Sequence, residues 1–390
     1  MPSQTLSPLH RLSALGQSVW VDFLSRESIR GGHLQELLDA DAVVGATSNP
    51  TIFQKAMSGG DAYDEQLREL AGEGLDARAS FWRLAERDIK DACDLFRPIW
   101  EGGSGRDGYV SLEVAPDLAY DTLATFNEAI GLHETVDRPN LMVKIPATKP
   151  GLAAIEDVIA QGHSINVTLI FSLRRYAEVA ESYIRGIERL IAAGGDPRKV
   201  ASVASFFVSR IDTEADRRLQ ELRSASNGAA AGGGDGKDGG DGRFSHLEGR
   251  LAVANAKLAY QHYRSVFRGG RWEFLAAKGA TPQRVLWAST STKNPTYPDT
   301  VYVEELIGPD TVNTMPEETI RAYQDHGRPR ARLQAGVDDA RKLLDELASV
   351  GVDYDDLTDT LEREGVEKFA DSFEQLIAAL AEKQSALAVA

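Results

Sequence analysis

An α/β fold of the (β/α)8 barrel class, extended by C-terminal helices, is what this sequence predicts, and three observations predict it. Eight short runs rich in apolar and β-branched residues recur along the chain. Longer stretches of helical periodicity separate them, the alternation expected of parallel strands joined through helices. Several of the runs are apolar nearly throughout, as strands covered on both faces require. Neither GxGxxG after the first run nor GxxxxGK[ST] anywhere occurs, so an open sheet built around a dinucleotide or a P-loop has no support.

Taken in order, the strands are Val19–Phe23, Val43–Thr47, Tyr109–Val114, Leu141–Ile145, Ile165–Ile170, Val200–Val208, Arg284–Ser289 and Thr311–Thr314. Phe81–Phe96, Leu173–Ala193 and Leu247–Phe267 are the clearest helical stretches between them. The whole chain, 1–390, reads as one barrel domain with two additions. The stretch 224–242 (SASNGAAAGGGDGKDGGDG) is a low-complexity glycine-rich segment, expected to be a flexible surface loop. The stretch 317–390 reads as amphipathic helices packed on the barrel.

Composition narrows the function. With 390 residues and 42% apolar content, the chain can bury a large core. A formal net charge of −16 argues against nucleic-acid or anionic-membrane partners. No basic-then-apolar leader and no apolar run near the ~18 residues of a membrane span are present, so a cytoplasmic protein is expected. The single cysteine, Cys93, allows no intrachain disulfide, and its helical setting suits a small core residue. Seven scattered histidines form no HExxH pattern, so no structural or catalytic transition metal is expected. Trp82, Trp100, Trp272 and Trp287 read as packing residues, and Arg174 and Arg175 as solvent-exposed.

One strand carries a lysine in an apolar run, Leu141-Met142-Val143-Lys144-Ile145-Pro146-Ala147. Burial disfavours an ammonium, so a depressed pKa is expected there, against an ordinary value of about 10.4. A neutral amine at neutral pH is a nucleophile for carbonyl carbon, which points to Schiff-base chemistry. Barrel active sites sit at the C-terminal ends of the strands, and polar residues stand there in series. Strand one ends with Asp22, strand two with Thr47-Ser48-Asn49-Pro50, and strand three with Glu113. Strand four carries Lys144, strand five Asn166 and Thr168, strand six Ser205 and Arg210, and strand seven Ser289 to Lys293. Asn166 and Thr168 are two apart and so share a face. Two carboxylates, a lysine and amides on successive strands supply a nucleophile, proton carriers and hydroxyl ligands.

These segments also resemble a known family. The stretches SVWVDFLSR…VVGATSNPTIFQKA (18–56), VSLEVAPDLAYDT (110–122), LMVKIPAT (141–148), INVTLIFS (165–172) and SFFVSRID (205–212) look like transaldolase, in the family's order. The resemblance implies a cofactor-independent class I enzyme of the pentose phosphate pathway. It would move a dihydroxyacetone unit from sedoheptulose 7-phosphate to glyceraldehyde 3-phosphate, giving erythrose 4-phosphate and fructose 6-phosphate. It implies Lys144 as Schiff-base lysine and Glu113 with Thr168 as the proton relay through water. It implies Asp22 as acid/base at the donor C4 hydroxyl, and Asn49, Asn166 and Ser205 as ligands to donor hydroxyls. Arg210 would bind phosphate. The sequence departs from the family after strand seven, where Ala288-Ser289-Thr290-Ser291-Thr292-Lys293 puts Ser291 at the position of an expected arginine. Ser289 and Lys293 are the remaining candidates for substrate and phosphate there. Two alternatives stay open: an aldolase that releases dihydroxyacetone, and a non-catalytic sugar-phosphate-binding barrel. The expected assembly is a monomer or homodimer.

Overall fold

The computed structural model describes residues 6–230 and 242–389. Eight parallel strands close into a barrel in sequence order: β1 (Gln17–Val21), β2 (Val43–Thr47), β3 (Val110–Glu113), β4 (Leu141–Pro146), β5 (Ile165–Ile170), β6 (Ser202–Phe207), β7 (Arg284–Ala288) and β8 (Thr311–Met315). Closure comes from β1 pairing with β8, from Gln17 against Thr311 to Val21 against Met315. Nearly every strand position is buried, which accounts for the continuous apolar runs.

The first strand begins two residues earlier than expected and ends at Val21. Gln17 and Ser18 are polar, yet both are buried in β1 at the barrel's N-terminal end, on opposite faces of the strand. Gln17 Nε2 donates to the Leu306 carbonyl at 2.7 Å and to Thr311 Oγ1 at 3.0 Å, so its burial is compensated. Ser18 and Asp107 meet the buried Arg284 from β7 and plug that end. Asp22 is thereby the first residue beyond β1, where an active-site group belongs.

The helix after β6 runs Ser209–Ala230, so the first part of the stretch expected to be loop is helical. Alanine and serine there continue the helix, and the glycine-dense part, 231–241, lies outside the described residues. After β8, the helices Glu317–His326, Val337–Ser349 and Tyr354–Val389 return to the barrel. The last of these lies across the C-terminal mouth. Thr51 and Ser372 hydroxyls meet at 2.9 Å, and Gln54 Nε2 donates to Gln375 Oε1 at 2.6 Å, tying it to the helix Pro50–Ser58 after β2. At the crossing, Gly365 lies so close to Leu169 that a Cβ would come 3.0 Å from its side chain. Leu169 reaches out because the β5 ladder shifts register between Val167 and Ile170, where it adopts φ +58°.

Candidate active site

Register sets the central residues side by side. Glu113 on β3 pairs with Lys144 on β4, and Lys144 pairs with Asn166 on β5. Lys144 is 4% exposed. Its Nζ lies 3.1 Å from Glu113 Oε2 and donates to the Ser48 carbonyl at 2.9 Å. Burial pushes the Glu113 carboxyl above its ordinary range, with Lys144 pulling it back. Glu113 Oε2 sits off the line of a hydrogen bond to the ammonium, and it and the buried Thr168 Oγ1 make no hydrogen bond among the described residues. A buried oxygen in that state needs a polar partner such as water or a substrate hydroxyl.

Asp22 stands on the same cavity, its Oδ1 accepting from Thr47 Oγ1 at 2.8 Å. Burial raises its carboxyl, opposed by the Lys144 charge, the Thr47 hydrogen bond, and the charges of Arg210 and Lys293. The two carboxylates and one amine therefore share an electrostatic neighbourhood at the cavity floor. The cavity is about 240 Å³ and is walled by Asp22, Asn49, Lys144, Thr168, Ser205, Arg210, Ser289 and Lys293, among others. Eight of the ten sequence-predicted residues are on that wall. Glu113 lies behind Lys144 beside Phe53, Phe81 and Trp82, and Asn166 is fully buried beneath.

Local structure explains each placement. Asn49 is the N-cap of Pro50–Ser58, its Oδ1 accepting from the Ile52 N–H at 2.9 Å with proline at the first helical position. That leaves its amide nitrogen for other partners. The Asn166 amide is committed at both ends: its nitrogen donates to Ser111 Oγ at 3.1 Å and its oxygen accepts from Ser205 Oγ at 2.7 Å. Ser289 holds φ +57° and shares a 2.9 Å hydroxyl contact with Ser209. The Arg210 guanidinium lies over Phe207 at 5.2 Å and Phe369 at 6.0 Å. Ring faces orient it without using its N–H donors, which stay available for an anion.

The segment after β7 is braced from outside. Tyr302 donates to Asp212 at 2.8 Å, and Tyr297 donates to Asp216 at 2.7 Å. The other carboxylate oxygens accept from the Ala252 N–H at 2.7 Å and the Gly249 N–H at 2.9 Å. Burial pushes Asp212 up to about 7, against the hydrogen bonds from Ala252 and Tyr302. Arg175, expected at the surface, is instead buried: Glu362 of the C-terminal helix lies 3.0 Å away and Glu178 2.6 Å. Its neighbour Arg174 is exposed and reaches Asp359. Two cations on the cavity wall escaped sequence reasoning, Lys55 and Lys368. Each is a lysine on a helix surface, indistinguishable by pattern from any other.

The family profile described as transaldolase/fructose-6-phosphate aldolase matches residues 19–380. The chain belongs to that family. A transaldolase of Parafrankia sp. is 51% identical over 377 residues, spanning 96% of this chain and 98% of that protein. Transaldolases of Acidothermus cellulolyticus and Mycolicibacterium paratuberculosis are also each 51% identical, covering 96% and 95% of this chain and the same shares of their own. Membership of the transaldolase/fructose-6-phosphate aldolase family agrees with the eight-stranded barrel and with a lysine buried at its centre. Among the described residues, no group of three or more histidine, cysteine or acidic side chains is placed to hold a metal, and no helix is long and apolar enough to cross a membrane.

Proposed function

We propose that the chain is a transaldolase working through a Schiff base on Lys144, converting sedoheptulose 7-phosphate and glyceraldehyde 3-phosphate to erythrose 4-phosphate and fructose 6-phosphate. The observation that carries this reading is the buried Lys144–Glu113 pair at 3.1 Å, with Asp22 on the same cavity floor. Glu113, raised by burial, is a ready acceptor for the lysine proton, and its transfer frees the amine to attack the donor C2 carbonyl. Loss of water gives an iminium, with Glu113 and Thr168 handling that water. Asp22 takes the C4 hydroxyl proton, the C3–C4 bond breaks, and its electrons enter the iminium to form an enamine. Erythrose 4-phosphate leaves, the enamine carbon attacks the aldehyde of glyceraldehyde 3-phosphate, and Asp22 returns the proton to the new alkoxide. Hydrolysis then restores Lys144.

Asn49, Ser205 and Ser289 on the cavity wall suit the donor hydroxyls, and Arg210 and Lys293 suit its phosphate. Asn166 fits better as the support that orients Ser205 from below. The names of the relatives favour transfer over release of dihydroxyacetone. The net charge of −16 disfavours nucleic acid as a partner, while anionic sugar phosphates are met by the local cations Arg210 and Lys293 on the cavity wall.

Borohydride trapping with fructose 6-phosphate, followed by peptide mass spectrometry, tests this. A reduced dihydroxyacetone adduct on Lys144 that vanishes in Lys144→Ala supports the reading. An adduct elsewhere, or none, removes it. Adding erythrose 4-phosphate should discharge the unreduced intermediate to sedoheptulose 7-phosphate.

A further inference from the structure

Ser291 stands where the family resemblance led us to expect a phosphate-binding arginine, and Lys293 is already engaged, its Nζ 2.6 Å from Ser291 Oγ. The cavity mouth nonetheless gathers four cations: Lys55, Arg210, Lys293 and Lys368. Lys55 comes from the helix after β2 and Lys368 from the C-terminal helix. The Thr51–Ser372 contact locks those two helices together, so the two amines flank one opening. Among the described residues neither lysine makes an ion pair or a hydrogen bond with a side chain or backbone group. Lys257 and Lys383, by contrast, pair with Glu305 and Asp64.

Gathering unpaired like charges costs free energy. The Arg210 charge, then burial, then Lys293 and Lys55 lower the Lys368 ammonium below its ordinary value. Two carboxylates lie on the same wall, Asp22 and Glu318, both acting on Lys293, and Glu364 of the C-terminal helix acts on Arg210; none of the three pairs with Lys55 or Lys368. A sugar phosphate carries close to two negative charges near pH 7 and would relieve that repulsion.

We propose that Lys368, together with Lys55, grips the phosphate of the sugar substrate, so that the C-terminal helix adds charge beside Lys293 where Ser291 supplies no arginine fork. This rests on the Schiff-base reading given above. Arg210 supplies a fixed fork from the barrel side, and the two lysines close on the phosphate from the solvent side as point charges. The C-terminal helix then becomes part of the specificity for phosphorylated over plain ketoses.

The test measures the donor concentration that half-saturates borohydride trapping on Lys144, with fructose 6-phosphate and with fructose, and no acceptor present. Lys368→Gln should raise the value for fructose 6-phosphate about tenfold, the weight of one charge-assisted phosphate contact. Lys368→Glu should raise it further, and Lys55→Gln should act in the same direction. Fructose should be trapped equally by all four proteins. Both lysines sit on exposed helix positions, so matched melting temperatures are expected. Unchanged half-saturation with fructose 6-phosphate in Lys368→Gln, or an equal shift with fructose, overturns the proposal. Failure of the unmodified protein to form an adduct on Lys144 would instead strike the Schiff-base reading.

Discussion

The Asp212 carboxyl offers a sharp test of the electrostatics around the segment after β7. It is 1% exposed, held by the Ala252 N–H and the Tyr302 hydroxyl, and burial raises it from 3.8 to about 7. Between those two values the folded chain keeps a proton that the unfolded chain releases. The unfolded state binds fewer protons there, so stability falls as pH rises through this window and levels off above about 7. At about 1.36 kcal/mol for each pH unit, the gap amounts to about 4 kcal/mol. Asp212→Asn removes the titration while keeping an acceptor for Ala252 and a polar partner for Tyr302. Relative to Asp212→Asn, the unmodified chain should lose about 4 kcal/mol between pH 4 and pH 7. Comparing urea-denaturation midpoints of the two proteins across that range cancels the titration of all other groups. A difference that stays constant from pH 4 to pH 8 would refute the argument that burial dominates at this carboxylate.

Three further outcomes are expected. Glu113→Gln should slow Schiff-base formation by about 10²- to 10⁴-fold. The burial that raises Glu113 also puts the acid limb of activity above the ordinary 4.5, and single-turnover rates of the glutamine variant should lack that limb. Arg26→Ala should cost about 3–5 kcal/mol, because it strips the buried Asp88 of a partner 2.8 Å away, which a thermal melt would register as a large drop. Gly151→Ala, directly after the lysine strand, would overlap the Pro146 carbonyl oxygen and should cost about 1–3 kcal/mol or more, with reduced Lys144 trapping in the surviving folded protein.

The barrel was legible because strands buried on both faces write themselves as apolar runs, and polar residues interrupt those runs where a site must be. Lys144, Glu113, Asn166 and Thr168 all show that contrast with their neighbours. Gln17 escaped because a polar residue satisfied in the buried layer around the strands looks the same in sequence as one in a loop. Arg175 escaped because its partner Glu362 is nearly two hundred positions away. Lys55 and Lys368 escaped for a related reason: only the packing of two distant helices distinguishes them from surface lysines. Asn166 was correctly placed near Lys144, but its hydrogen-bond partners, visible only in three dimensions, turn it toward Ser205.

The helix across the mouth also bears on how the protein is made. All eight strands precede it in the chain, and synthesis runs at about 5–20 residues per second. A nascent chain therefore has its whole barrel available several seconds before Lys368 and Phe369 emerge. During that interval Arg210 lacks one of its two aromatic supports, and the chamber above Lys144 has no roof. The ribosome thus delivers the scaffold before the part that finishes its entrance, which makes a full-length chain a condition for a complete site.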